Sequence, residues 1–267
     1  MKRRRVFIIG LLTFFIFFFF LLYFFVNIGV KPVLLSSKTS TRTAKSPDKH
    51  SKFSILIGII TRADKYDRRH FLRLVYGIQS SSIANIDVKF VFGRLTKPEQ
   101  RVLVGLEIER FDDIIILNCS ENKNSGKTYT FFSSQPRFSE PYDYVMKADD
   151  DVYIRLEPLS LSLKPLPRQD LYYGFVIPCK SMNPYVEYMS GMGYLLSWDL
   201  DKLVGKWLNI GKKAKIRISN KPAMYDYPGT NGNGCFLILI IIPETVAVHR
   251  LKRWDQWFHV LRVLQCK

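Results

Sequence analysis

Residues Tyr142 to Ile154 read Y-D-Y-V-M-K-A-D-D-D-V-Y-I. A short apolar run (Tyr142, Tyr144, Val145, Met146) ends in Asp149, Asp150 and Asp151, and a second run, Val152 to Ile154, follows. Three adjacent carboxylates at the end of a buried strand repel one another, and leaving them unpaired there is costly. A divalent cation removes that cost. Hard oxygen ligands suit Mg²⁺ or Mn²⁺, which keep positions open for water and for phosphate oxygens. The plainer reading is an acidic turn resting in water. The strand flanks weigh toward the cation, because ligand sites of α/β sheets lie at strand carboxyl ends.

Working outward, Phe53 to Ile60 is a short apolar run containing Gly58 and predicts a first strand. A helix follows, with Phe71, Leu74, Val75 and Ile78 at i, i+3, i+4 and i+7 forming one buried face. Val88 to Phe92 predicts a second strand ended by Gly93, Pro98 to Arg110 an amphipathic helix, and Asp113 to Leu117 a third strand. Gly126 to Ser134 predicts a helix start before the strand that leads into the aspartates. Leu171 to Ile177 and Tyr188 to Leu196 continue the apolar pattern, and Phe236 to Ile242 is too short to cross a bilayer and reads as a buried strand. Strands alternating with helices predict an α/β class: a mostly parallel sheet with helices on both faces.

The chain has 267 residues and a formal net charge of +17, from Lys+Arg 40 against Asp+Glu 23. Such an excess suits nucleic acid, acidic lipid headgroups or a phosphorylated substrate. The N-terminus decides among these. Met1 to Arg5 carries four basic residues and precedes an unbroken apolar run from Val6 to Val26, at about 1.5 Å per residue enough to span roughly 30 Å of hydrocarbon. The run is too long for a cleaved signal peptide and no small-residue cleavage site follows, so it reads as a retained anchor. Basic residues hold that end in the cytosol. The expected organisation is a cytoplasmic tail at 1–5, a transmembrane signal anchor at 6–28, a Ser/Thr/Lys-rich lumenal stem at 29–52, and a folded domain at 53–267. A lumenal domain excludes nucleic acid as its partner.

Four cysteines (Cys119, Cys179, Cys235, Cys266) lack C-x-x-C spacing, which argues against a zinc cluster and allows up to two disulfides in three connectivities. Asn118-Cys119-Ser120 is a glycosylation sequon. Arg69, Arg73 and Tyr76 fall at i, i+4 and i+7, a stripe that either clamps phosphate oxygens or forms a solvated basic face. Ser125-Gly126-Lys127-Thr128 resembles the tail of a P-loop, but Glu121 stands where the leading glycine belongs, so an NTPase is rejected. Lys127 is then a neutraliser of a carboxylate or phosphate, or an ordinary helix-start lysine. His249 ends the apolar run Val246 to Val248, where it is either structural or completes a cation's coordination shell. Ser190 to Tyr194 is a glycine-rich turn open to close approach of a ligand.

Together these blocks resemble the β-1,3-galactosyltransferase and N-acetylglucosaminyltransferase family, most of all its plant branch. R-R-H-F-L-R-L-V-Y at Arg68 to Tyr76 is similar to the family's R-R-x-x-I-R-x-T-W, and K-A-D-D-D-V-Y at Lys147 to Tyr153 to its K-x-D-D-D-V-F. Gly126 to Thr128 and Tyr188 to Ser197 match two further blocks in order, so the likeness runs from Phe53 almost to the end. The resemblance implies a Rossmann-like GT-A fold and a hexosyltransferase inverting at the sugar of a UDP-sugar donor, UDP-galactose above all. It implies Mn²⁺ on Asp149 and Asp151 with His249 as a further ligand, and Arg69, Arg73, Lys127 and Asp150 around the donor. It implies a glycan or glycoprotein acceptor, a Golgi membrane location as a single-pass type II protein, and a glycosyltransferase as a further partner.

One block departs from the family. Relatives place E-D-V-x-x-G well beyond the Ser-Trp segment, whereas here Trp198-Asp199-Leu200 runs directly into Asp201-Lys202-Leu203-Val204-Gly205. Asp201 matches the block's aspartate, the expected general base, but Leu200 stands for its glutamate and the intervening loop is absent. The shortened connection gives an alternative expectation: a relative that binds the nucleotide sugar, or partners an active transferase, without efficient transfer.

Overall fold

The structure, a computed structural model, describes residues 52–121, 126–138, 142–201, 214–228 and 243–265. The expected anchor, nearly all of the stem and the strand expected at Phe236 to Ile242 lie outside the described residues. Among the described residues no helix is long and apolar enough to cross a membrane.

The chain builds β1 (Phe53–Ile60), α1 (Tyr66–Gly77), β2 (Ala84–Phe92), α2 (Pro98–Phe111), β3 (Ile114–Ile116), α3 (Lys127–Phe138), β4 (Tyr144–Asp149), β5 (Tyr153–Ile154) and α4 (Leu156–Leu163). It continues through β6 (Leu171–Ile177), β7 (Tyr188–Ser197), α5 (Trp198–Asp201), β8 (Ile216–Ser219), β9 (Met224–Asp226), β10 (Ala247–His249) and α6 (Trp254–Gln265). Seven strands form one sheet in the order β3-β2-β1-β4-β7-β6-β8, and β5-β10-β9 form a small second sheet. Among the described residues of the large sheet, β7 alone runs against its neighbours β4 and β6, and the other pairings are parallel. The expected mostly parallel α/β architecture is therefore present, with one reversed strand beside the central β4.

Central strands β1 and β4 are buried on both faces, which is why they read as continuous apolar runs rather than alternating ones. Their period of two still sorts side chains between layers. Ile55, Ile57 and Ile59 of β1 pack with Tyr144, Met146 and Ala148 of β4 in a core that includes Leu72, Val75, Leu159 and Trp257. Leu56, Ile60 and Val145 face the opposite layer with Phe131, Phe132, Leu196 and Leu200. Gly58 lets α3 approach: a Cβ there would lie 2.1 Å from Cζ of the fully buried Phe131 ring.

The face of α1 differs from the expectation. Leu74 and Ile78 are exposed, while Arg69, Leu72, Val75 and Tyr76 are buried. The phase is set by polar anchoring as well as by apolar spacing. Tyr76 donates its hydroxyl proton to the Val152 carbonyl at 3.2 Å. Arg69 goes inside because its guanidinium meets Glu107 Oε2 at 3.0 Å and the carbonyls of Arg62 and Ala63 at 2.6 and 2.9 Å. Helix α2 is likewise less amphipathic than its pattern implied. It exposes Val102, Leu103 and Leu106 and buries Val104 and the Glu107 that serves Arg69.

Cys179 is disulfide-bonded and Cys119 carries a free thiol. Asn118 is exposed, its side-chain oxygen accepting from Arg94 at 2.7 Å.

Candidate metal and donor site

Chain order places β2 and β3 on one side of β1 and β4 on the other, so the sheet's direction of growth reverses between β1 and β4. The carboxyl ends of those two strands are where such a sheet opens a crevice. There Thr61, the residue after β1, donates its hydroxyl proton to Asp150 Oδ2 at 2.7 Å. Asp149 is the last residue of β4, and the turn through Asp150 and Asp151 leads straight into β5.

The small sheet brings the histidine back to this turn. β10 pairs antiparallel with β5 and parallel with β9, in a register that sets His249 opposite Asp226. Arg250 then takes a left-handed φ of 64°, and the turned chain lets Leu251 N–H donate to the Asp151 carbonyl at 3.0 Å. The next residues are held from above. Arg68 donates to the carbonyls of Leu251 and Lys252 at 3.1 and 3.2 Å, its guanidinium 4.7 Å from the Trp254 ring centroid. Trp257 Nε1 also donates to the Leu251 carbonyl, at 2.6 Å.

Asp149, Asp151 and His249 each offer a ligand atom, and these atoms lie within 4.8 Å of one another. His249 Nε2 stands 3.4 Å from Asp151 Oδ1, and its Nδ1 lies 2.6 Å from Asp226 Oδ1. Burial acts to lower the histidine pKa, but hydrogen bonds and attraction from Asp151 and Asp226 prevail and hold it above its ordinary value. Two carboxylates and one imidazole, the latter with its far nitrogen already taken, are a donor set suited to Mn²⁺ or a similar divalent ion. Lys147, two residues before Asp149 on the same strand face, donates to Asp149 Oδ1 at 2.7 Å and to the Gly191 carbonyl. Gly191 lies against this pair: a Cβ there would be 3.7 Å from Lys147 Nζ and 3.9 Å from Asp149 Oδ2, both ordinary contact distances.

Next to the triad is a cleft of about 380 Å³ lined by Ile60, Thr61, Arg62, Lys65, Glu121, Lys127 and Asp150. Lys127 is buried, its ammonium donating to the Thr61 carbonyl at 2.5 Å and Glu121 Oε1 at 2.6 Å. Burial lowers its pKa, and the pull of Glu121 opposes the shift without cancelling it.

The sequence-derived site residues are thus divided. Asp149, Asp151 and His249 come together, and Asp150 and Lys127 share the adjoining cleft. Arg69 and Arg73 turn away from the acidic turn. Arg73 pairs with Asp113 at 2.7 Å and Glu107 at 2.8 Å, and with Arg69 it ties α1 to α2 and to the start of β3. In their place Arg68, the first arginine of the block, stands in the field of Asp150 and Asp151, which partly offset the lowering of its pKa by burial.

Asp201 is also apart from the triad. The β4–β7 register pairs Tyr144 with Ser197, so α5 starts beside the amino end of β4. At about 3.3 Å per residue that end is roughly 16 Å from Asp149, and the side chain of Asp201 lies outside the described residues. Sequence reading missed Asp226, Thr61 and Arg68. For Arg68 the signal was present in the doubled arginine of the block, but the i, i+4, i+7 stripe drew the reading to Arg69 and Arg73.

The galactosyltransferase family profile matches residues 67–216. This chain belongs to the galactosyltransferase family. β-1,3-Galactosyltransferase pvg3 of Schizosaccharomyces pombe is 23% identical over 270 residues, covering 75% of this chain and 71% of the yeast protein. Human β-1,3-galactosyltransferase 1 is 25% identical over 181 residues, covering 60% of this chain and 55% of that protein. An Arabidopsis thaliana protein, probable β-1,3-galactosyltransferase 12, is 27% identical over 139 residues, covering 49% of this chain and 36% of its own length. The chain therefore spans about half or less of the latter two. Among solved structures, a Pyrobaculum calidifontis mannosyltransferase in complex with GDP-Man and Mn²⁺ matches at TM-score 0.42 and 12% identity, over 65% of this chain and 56% of its own. Galactosyltransferase LgtC matches at TM-score 0.42 and 11% identity, over 78% and 94%. Likenesses that distant carry no argument about the chemistry of this site.

Proposed function

We propose that the chain is a hexosyltransferase of GT-A type. It transfers galactose from UDP-galactose, with inversion, to a glycan or glycoprotein hydroxyl in β-1,3 linkage. The observation that carries this reading is the convergence of Asp149, Asp151 and His249 at the β1–β4 crevice, beside a cleft lined by Arg62, Lys65 and Lys127 together with Glu121 and Asp150. Family membership supports the transferase class, and the names of the relatives support the sugar and the linkage.

Asp149, Asp151 and His249 would hold Mn²⁺, which when bound offsets the charge of the donor diphosphate and of the leaving UDP. Asp150 is held by Thr61 and lines the cleft together with Arg62, Lys65 and Lys127. Arg62 and Lys65 are the cations there that Glu121 does not pair, and they favour an anionic ligand. Lys147 screens Asp149 and fixes its rotamer, leaving the other carboxylate oxygen toward Gly191. The apolar run from Val6 to Val26 supports a single-pass type II protein of the Golgi membrane with this domain in the lumen.

A second reading has a specific observation behind it. An inverting displacement needs a base at the acceptor hydroxyl, worth about 10² to 10⁴ in rate. Asp201, the residue that matches the family's base, lies in α5, which starts beside the amino end of β4. On this reading the chain binds donor, or supports an active transferase as its partner, and transfers poorly. Incubating the full-length protein with UDP-galactose, Mn²⁺ and an acceptor library separates the two. Linkage-resolved galactosylated product abolished by Asp151→Ala establishes the first reading. Mn²⁺-dependent UDP binding without product establishes the second, and no UDP binding at all removes both. Asp201→Asn is expected to leave UDP binding unchanged in either case.

A further inference from the structure

Asp226 lies outside the family-like blocks of the sequence, yet it is 4% exposed and engages one carboxylate oxygen with His249 and the other with Arg250. Oδ1 lies 2.6 Å from His249 Nδ1, and Oδ2 lies 3.2 Å from Arg250 Nε. The backbone reinforces the pairing. β9 and β10 set Asp226 and His249 side by side in register, and Tyr227 N–H donates to the His249 carbonyl at 2.8 Å. An imidazole without such a partner can rotate and present either nitrogen. With Nδ1–H donated to a fixed carboxylate, the lone pair of the neutral ring sits on Nε2, the nitrogen that faces Asp151.

We infer that Asp226, braced by Arg250, is the positioning residue that fixes the tautomer and direction of His249 for a divalent cation. Arg250 serves this role because its own neighbour is the ligand. Its left-handed backbone returns the side chain over β9, where it occupies the Asp226 oxygen that His249 does not use. The inference rests on the metal-site reading above and adds to it a carboxylate–imidazole relay that no ligand motif signals.

The test uses the full-length protein and Mn²⁺ alone, with free Mn²⁺ quantified by electron paramagnetic resonance. Asp226→Asn keeps the size and an acceptor oxygen but removes the charge. It is expected to weaken Mn²⁺ binding about 10- to 100-fold, the usual range for an outer partner of a ligating histidine. His249→Ala is expected to weaken it at least as much. The decisive reading is the double variant, Asp226→Asn with His249→Ala, which should bind no more weakly than His249→Ala alone, because Asp226 acts through the imidazole. A purely structural aspartate would instead give additive losses. Arg250→Gln provides a milder second variant, with a smaller loss that also vanishes in the His249→Ala background, and it serves if Asp226→Asn does not fold. Parental affinity in Asp226→Asn, or additive losses, overturns the inference while leaving the metal site standing. Absence of Mn²⁺ binding by the parent overturns both.

Discussion

Replacing Glu107 by alanine should destabilise the domain severely while leaving its candidate site intact. Glu107 is 4% exposed and joins two arginines of α1: Arg69, 1% exposed, through both carboxylate oxygens, and Arg73 at 2.8 Å. Burial alone would raise the Glu107 pKa, but Arg69 and Arg73 outweigh it and hold the carboxyl below its ordinary range. Breaking a buried pair by removing one partner costs about 3 to 5 kcal/mol, mostly the uncompensated charge left behind. Here the lower end applies. Arg73 keeps Asp113 at 2.7 and 2.9 Å, and Arg69 keeps two backbone carbonyls. A loss of about 3 kcal/mol lowers Tm by roughly 6 to 12 °C in a domain of this size.

The sign of the pH effect follows from the lowered pKa. The carboxylate's contribution is fully present above its unfolded value of about 4.3. It is lost as pH falls through the still lower folded value, and Glu107→Ala should lack that portion of the parent's acid sensitivity. Thermal and urea melts would be read beside UDP affinity in the presence of Mn²⁺, at a temperature where the variant is folded. A destabilisation under about 1 kcal/mol would refute the reasoning. So would unchanged stability with a tenfold loss of UDP affinity, since that would put Arg69 and Arg73 at the donor after all.

Two further outcomes are expected. Because His249 must be neutral to ligate and its metal-free pKa is raised, Mn²⁺ affinity should fall about tenfold per pH unit below that pKa. In the metal-free protein the same shift contributes stability that is fully present below the unfolded value of about 6.5 and is lost as pH rises through the folded one. Isothermal titrations from pH 5 to 8, with melts run in chelator, check both signs, and a pH-independent affinity would remove His249 from the ligand set. Separately, Gly58→Val puts a side chain where a Cβ already lies 2.1 Å from Phe131 Cζ. Overpacking of that kind costs about 1 to 3 kcal/mol in a urea melt, and an unchanged midpoint would mean α3 does not seat on β1 as described.

Where the chain was legible, one physical signal dominated. Strands β1, β4 and β6 read correctly because burial on both faces makes each a continuous apolar run. The acidic turn falls at the carboxyl end of β4, where the apolar run before it put it. The face of α1 did not read correctly, since apolar spacing ignores that a guanidinium served by Glu107 and two carbonyls can be buried. Strands β9 and β10 are three residues each, too short to carry a period, yet they alone put Asp226 against His249. Pairing of this kind is a property of register in three dimensions, which no local pattern encodes. The same holds for Asp201. Its match to a family block is visible in the sequence, and its place at the amino end of β4 emerges only from the β4–β7 register.

On the proposed function, Asp149, Asp151 and His249 hold a cation through which a UDP-sugar is bound. Calorimetric titration of UDP into the full-length protein, with Mn²⁺ and with chelator, in the parent and in Asp151→Ala, tests it most directly. Binding is expected in the parent only when Mn²⁺ is present, and in the variant under neither condition. Equal UDP affinity in parent and variant, whether or not Mn²⁺ is supplied, would contradict it.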